Sequence, residues 1–433
     1  MRLRSAIEAI PKGVDSLCCI YCNFNKSSLE SHHEDRITRS LKRVRHGDSI
    51  TRCFGRPQHS DAMNTTKSNA RKVIFSAAII LMNLMVLGVF AQNSVDPTII
   101  NDKEVQTAVD LYEKSDYSRA KSLLEGIIKK NDKNDEAHYV LAMVLSRMNN
   151  LDDAKAAAKM AIHLKSTSAE YHYALASIYI IESRTAGFFR LPAIAGGMKK
   201  ELDAAQSLDP KHMRTMIALA MYFINVPGII GGDKNKAIEQ ANRLLLLDEK
   251  QGRNLLCQIF ISTNDYVKAI EEANNLVKLD EKQGRIFLSQ IYSKLEDNEK
   301  AIAELNKIIT IDEYTGRLLL IDFYEEQGDL GQVEVEYKAI ESTYGDNPEY
   351  SGFYNDYGYF LLGQNRVDEA IEKLRKQVAL APESANAHDS LGEALQKKGM
   401  EKESLAEYAK ALELNPDLKS AKDKVGEKET SGE

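Results

Sequence analysis

The chain has 433 residues, 43% hydrophobic and 28% charged, with 24 Gly, 9 Pro and no Trp. So little Pro and Gly excludes collagen-like and mucin-like chains, and the balanced charge excludes a wholly disordered one. The net charge of −7 hides an asymmetry: residues 1–62 carry eleven Lys/Arg against seven Asp/Glu, while 43 bases face 57 acids from Gln92 onward, an acidic body that argues against nucleic-acid binding.

Residues 1–62 show no helical or strand period and hold Cys18, Cys19, Cys22 and Cys53, four of the five cysteines. Cys18, Cys19 and Cys22 together with His32, His33, Glu34 and Asp35 do not make a metal site, because zinc needs correctly spaced ligand pairs on a compact module. From Met63 the pattern changes. A short basic region is followed by the uncharged run Val73 to Phe90, and Val89-Phe90-Ala91 offers the small residues read by a signal peptidase. Residues 63–91 therefore read as a signal peptide cleaved after Ala91. Met63 then reads as the true start, with residues 1–62 a non-native upstream segment. The alternative is a signal anchor through residues 73–90, since eighteen apolar residues just suffice to span a bilayer. Export to a periplasm follows from the first reading, membrane anchoring from the second. Residues 92–100 read as a linker.

After residue 100 a period takes over. Small residues pair twelve apart: Ala108 with Ala120, Ala142 with Ala154, Cys257 with Ala269, Ser289 with Ala301, Gly358 with Ala370, Gly392 with Ser404. The first members recur at 32 or 34 residues, as with Ala108, Ala142 and Ala176, and Pro382 and Pro416 are also 34 apart. A polar turn such as Arg147-Met148-Asn149-Asn150 separates each pair. On both sides apolar residues recur three and four apart, the amphipathic helix period. The physical reading is a helical hairpin whose two helices touch where side chains are smallest. One hairpin cannot bury its own apolar face, so hairpins must stack on a shared core.

Leu391-Gly392, Leu395, Tyr408, Ala411 and Pro416, and likewise Leu141-Ala142, Leu145, Ala154 and Ala161, resemble the tetratricopeptide repeat family over residues 101–418. The resemblance implies an all-α, right-handed superhelical solenoid of about nine helical hairpins, with residues 417–433 a C-terminal capping helix and a frayed tail. The family's early Trp is His138, His172 and His388 here, so these histidines read as structural, as does Cys257 in a small-residue slot. Units five to seven share Leu-Asp-Glu-Lys-Gln-Gly-Arg or a close variant, ending at Arg253, Arg285 and Arg317. Those arginines read as a ladder paired to neighbouring acids.

Two insertions interrupt the period, near residues 180–198 and 224–233. Both carry Pro-x-Ile-x-Gly-Gly: Pro192, Gly196 and Gly197 in one, Pro227, Gly231 and Gly232 in the other. They read as apolar loops projecting from hairpin tips, on the rim of a binding surface. Such interruptions resemble those of exported bacterial members of the family, among them a component of periplasmic transporters.

No nucleophile, metal pair or carboxylate dyad with catalytic spacing occurs in the repeats, so the chain reads as a non-enzymatic scaffold without a cofactor. Its protein or peptide partner would meet the concave groove lined by first helices. Asn254, Gln258, Gln290, Asp322, Asn355 and Tyr359 form a polar ladder there, while Tyr139, Met143, Tyr173, Ser177, Ile217 and Met221 form an apolar trough. That trough motivates an alternative, binding of a lipid or organic acid for a transporter. Membrane contact is expected only through residues 73–90, and weak self-association is left open.

Overall fold

The computed structural model describes residues 94–416 and 418–431. The described residues all lie in one compact unit. Met63, the apolar run, Ala91 and the upstream cysteines fall outside them. No helix of the described residues is long and apolar enough to cross a membrane.

The fold is an all-α solenoid. Among the described residues, eighteen helices follow one another in nine consecutive pairs: α1 (Lys103–Glu113) with α2 (Tyr117–Lys130), α3 (Asp135–Arg147) with α4 (Leu151–Leu164), α5 (Ala169–Thr185) with α6 (Leu191–Leu208), α7 (Met213–Asn225) with α8 (Lys234–Leu245), and α9 (Glu249–Ser262) with α10 (Tyr266–Val277). The series continues with α11 (Glu281–Lys294) and α12 (Asn298–Ile311), α13 (Glu313–Gln327) and α14 (Leu330–Tyr344), α15 (Phe353–Gly363) and α16 (Val367–Leu380), and α17 (Ala385–Lys398) and α18 (Glu401–Leu414). A last helix, α19 (Lys419–Ser431), closes the stack.

Local chemistry sets these boundaries. Short polar side chains begin the first helices: Asp102, Asn134, Ser168, Asp248, Asp280, Asp312 and Ser384 each accept an amide N–H from the first turn, which satisfies a donor with no partner inside the helix. Within most hairpins one residue turns left-handed: Ser115, Asn149, Asn264, Glu296, Gly328, Asn365 or Gly399. The next amide then reaches back five residues, as from Asn150 to the Leu145 carbonyl at 2.9 Å or from Met400 to Leu395 at 2.9 Å. This closes the helix end and reverses the chain in three residues.

The residues twelve apart lie at the helix contacts. Ala108, Ala120, Ala142, Ala154, Cys257, Ala269, Ala301 and Ala370 are fully buried, and the Ser404 hydroxyl donates to the Gly392 carbonyl at 2.7 Å across its pair. Each helix packs on the next, and the first helices of neighbouring hairpins also touch, α1 on α3, α3 on α5, α7 on α9 and α9 on α11. First helices therefore form the inner layer. The core runs along the stack: one cluster reaches from Tyr173 in α5 to Ile291 in α11. At the end, Ala421 of α19 is buried with Tyr408 and Ala411 of α18, as a cap requires.

Two expectations are corrected. The linker is not free: from Ser94 the segment lies against the helices, with Val95 buried, because its backbone and one aliphatic side chain find partners there. Pro192, Gly196 and Gly197 do not sit in a projecting loop but in the opening turns of α6. Proline is tolerated in a first turn, where its missing N–H would have had no helical partner.

Candidate functional site

The inner layer differs in its two halves. In hairpins five to eight its polar side chains reach the surface. Gln290 is exposed, as is Asp322, and the two line a single depression of about 330 Å³ with Ile261, Ser293, Lys294, Phe323 and Glu326. Asn254 and Gln258, one helical turn apart on α9, are half-buried and joined by a 2.6 Å hydrogen bond from the Gln258 amide. Further along, Asn355 accepts from the Ser390 hydroxyl at 2.7 Å, and the Tyr359 hydroxyl donates to Glu393 at 2.7 Å.

Several carboxyls of this half act on one another. Although Asp322 is exposed, partial desolvation of its carboxyl, then repulsion from Glu326 and Asp356, pushes it above the usual range. Glu325 is raised by partial desolvation and then by Asp322 and Asp356, and Asp356 by partial desolvation. Asp322 and Glu325 thus feel neighbouring negative charge, with Lys294 in the same depression as Asp322.

In hairpins two to four the expected apolar trough is not open. Tyr139, Met143, Tyr173, Ser177 and Met221 are all buried, and Ile217 is half-buried. The rings of Tyr139 and Tyr171 stack with centroids 5.1 Å apart, and Met143 packs in one cluster with Val95, Val105 and Val109. These residues cannot act as groove contacts while covered.

The segment Ser94–Asn101, which reads as a linker in the sequence, lies against Tyr139 and packs Val95 into the cluster of Met143. Its Asp96 N–H donates to the Tyr139 hydroxyl at 2.9 Å. Tyr139 in turn donates to Glu170 at 2.9 Å. Arg214 donates one nitrogen to Glu170 at 2.6 Å and another to the Ser94 carbonyl at 2.6 Å. His212 lies 3.0 Å from the second Glu170 oxygen. Glu136 accepts the amides of Asn101 and Asp102 at 2.8 and 2.9 Å. A signal for this cluster existed. Glu136, Glu170 and Arg214 are each the second residue of a first helix, so aligning the units puts an acid, an acid and a base in one row.

The insertions end differently. Gly197 faces Tyr179, whose ring would lie 3.0 Å from an added Cβ. The second tip is a closed loop: Asp233 N–H donates to the Phe223 carbonyl at 2.8 Å, Gly232 N–H to Pro227 at 3.1 Å, and Tyr222 reaches the Ile230 carbonyl at 3.1 Å. Gly231 takes a left-handed φ of 108°.

The histidines and arginines are engaged structurally. His172 hydrogen-bonds Glu201 at 2.7 Å, His138 the Asp132 carbonyl at 3.0 Å, and His388 both Glu407 and the Pro382 carbonyl. Arg253 bridges Glu249 and Glu272, Arg285 bridges Glu281 and Glu304, and Arg317 bridges Glu313 and Glu336. Burial pushes the Cys257 thiol up to about 12, which leaves it without thiolate character.

Models of the tetratricopeptide repeat match residues 111–178, and again 284–315 and 385–418. No curated protein matches the chain. Among solved structures, a thermophilic tetratricopeptide repeat protein of Thermus thermophilus is 18% identical, covering 44% of this chain and 97% of its own at a TM-score of 0.37. PilW, a type IV pilus biogenesis factor, is 17% identical over 48% of this chain and 91% of its own, with a TM-score of 0.39. Pseudomonas aeruginosa pilF is 16% identical over 52% of this chain and 96% of its own, with a TM-score of 0.38.

Proposed function

We propose that the chain, which is a tetratricopeptide repeat protein, is an exported, non-catalytic scaffold that holds a segment of another protein against the first helices of hairpins five to eight. The observation that carries this reading is the polar row along the first helices, exposed at Gln290, Asp322 and Tyr359 and half-buried at Gln258 and Asn355, beside carboxyls that repel one another. Amide side chains donate and accept at once, which suits a peptide backbone. The acidic surroundings favour a segment bearing Lys or Arg, whose charge would relieve the repulsion around Asp322. Binding should therefore weaken as salt is raised.

A photo-crosslinking amino acid at Gln290 or Tyr359, set against one at the outward-facing Val267 of α10, tests the reading in the native host. Crosslinks to one protein from the inner positions and none from Val267 are expected. Crosslinks from Val267 alone would overturn the proposal. Export is supported by the signal-like residues 63–91, and N-terminal sequencing of the mature protein should give Gln92. An intact residue 73–90 segment would instead make the scaffold a membrane-anchored adaptor. The small-ligand alternative has lost its motive, since most of the residues of its apolar trough are buried.

A further inference from the structure

We propose that the inner face of hairpins two to four is a main-chain-reading peptide site whose resident ligand is the chain's own segment Ser94–Asn101, extended at Asp96 and Ile100 and turned through a 3-10 helix at Pro97–Ile99. This goes beyond the reading above and does not depend on it, because that reading concerns hairpins five to eight.

The contacts are those of a backbone reader. Arg214 takes the Ser94 carbonyl at 2.6 Å, the Tyr139 hydroxyl takes the Asp96 N–H at 2.9 Å, and Glu136 takes the Asn101 N–H at 2.8 Å. A carbonyl and an amide two residues apart, both facing the same surface, is how an extended strand presents itself. Such contacts bind main chain whatever its side chains. Selectivity comes from the slot where Val95 is 6% exposed in one cluster with Val105, Val109 and Tyr139, and from side-chain contacts of Asn101 with Glu136 at 2.9 Å and of Ser94 with Arg214 at 3.2 Å.

The reading groups are fixed in advance. Glu170 is 4% exposed, and a carboxylate so buried is tolerated only with its partners in place. Tyr139, Arg214 and His212 supply them, and two of those three, Tyr139 and Arg214, use their remaining capacity on the segment. The site thus fits an extended segment with an aliphatic residue between two backbone contacts. Tethered to α1, the resident segment is present at an effective concentration of about a millimolar. An outside peptide must outcompete it, so this half of the inner face is closed until the segment leaves.

The test uses the full chain. Val95→Asp puts a carboxylate into the apolar slot and leaves Tyr139, Glu170 and Arg214 untouched. Hydrogen exchange at Asp96, Asn101 and Asp102 should quicken by about tenfold or more while α9 to α18 stay unchanged. A labelled synthetic peptide with the sequence of residues 94–101 should then bind the V95D protein, and bind the wild type about tenfold more weakly. The same peptide carrying Val95→Asp should bind neither. Equal affinity for both proteins, no binding to V95D at millimolar peptide, or wild-type exchange as fast as in V95D would each overturn the proposal. If V95D loses helical circular dichroism, Asp96→Pro removes the N–H given to Tyr139, spares the slot, and carries the same comparison.

Discussion

A methyl group has no room at Gly252, Gly284 and Gly316. A Cβ at Gly316 would lie 2.6 Å from the Ile309 amide nitrogen, and the other two would come closer still to Leu245 and Val277. The cause is the 32-residue spacing: two residues fewer between hairpins draw each first helix against the helix before it. Gly316→Ala should therefore cost about 1–3 kcal/mol in urea unfolding, the range for overpacking. Gly126→Ala, at a helix position with nothing within 4 Å, should instead stabilise by about 0.5–1 kcal/mol. The repeated signature was legible as duplication, and its arginines as a ladder, but the need for glycine was not, because it arises only when two helices meet. Charges at this scale give a second prediction. Hydrogen bonds from Arg366, then Lys338, hold the Glu334 carboxyl at about 2, below its ordinary 4.5. Its folded value is depressed, so its contribution is present above the ordinary value and is lost as pH falls towards 2. Glu334→Gln should cost about 1 kcal/mol at neutral pH, and the difference from wild type should shrink through that acid window. Asp322 has the opposite sign. Its raised value means its charged form is disfavoured in the fold, so Asp322→Asn should stabilise slightly at neutral pH and change nothing in acid.

At the level of elements, the hairpin turn is the feature most constrained by backbone geometry. Its left-handed position holds Gly or Asn in five hairpins but Glu296, at φ 58°, between α11 and α12. A side chain with a Cβ pays roughly 1 kcal/mol there, and Asn or Gly pays less. Glu296→Gly should raise the unfolding midpoint, by about 1 kcal/mol in stability, while Asn149→Ala at the matching turn should lower it. The helices themselves were legible because the twelve-residue pairs and the 3.6 period agree on one packing. The insertions were not, although both read Pro-x-Ile-x-Gly-Gly. Pro192 comes after a 3-10 turn, Phe188–Arg190, and so opens α6. Pro227 comes directly after the cap residue Val226 and so opens a closed loop. The distance from the preceding helix end decides the outcome, and the motif alone does not contain it.

Over the whole stack, stability is a sum of hairpins and the interfaces between neighbours. The polar row of the second half could be read from register, since Gln258 and Gln290 are 32 apart. The covering of the first half could not, because Ser94–Asn101 has no period and its partners lie 43 and 120 residues away. A one-dimensional stack makes damage local. Ala154→Asp places a carboxylate among Ala142, Ala158 and Leu175 with no partner, a cost of several kcal/mol at about one position. Ending the chain before Lys419 instead uncovers Tyr408 and Ala411 of α18, at roughly 2–3 kcal/mol for the apolar surface exposed. Hydrogen exchange should then quicken in α3 to α6 for the first variant and in α17 and α18 for the second, each leaving the other end protected. If either change loosened both ends equally, the hairpins would be folding as one indivisible body, and the nearest-neighbour account of this core would fail.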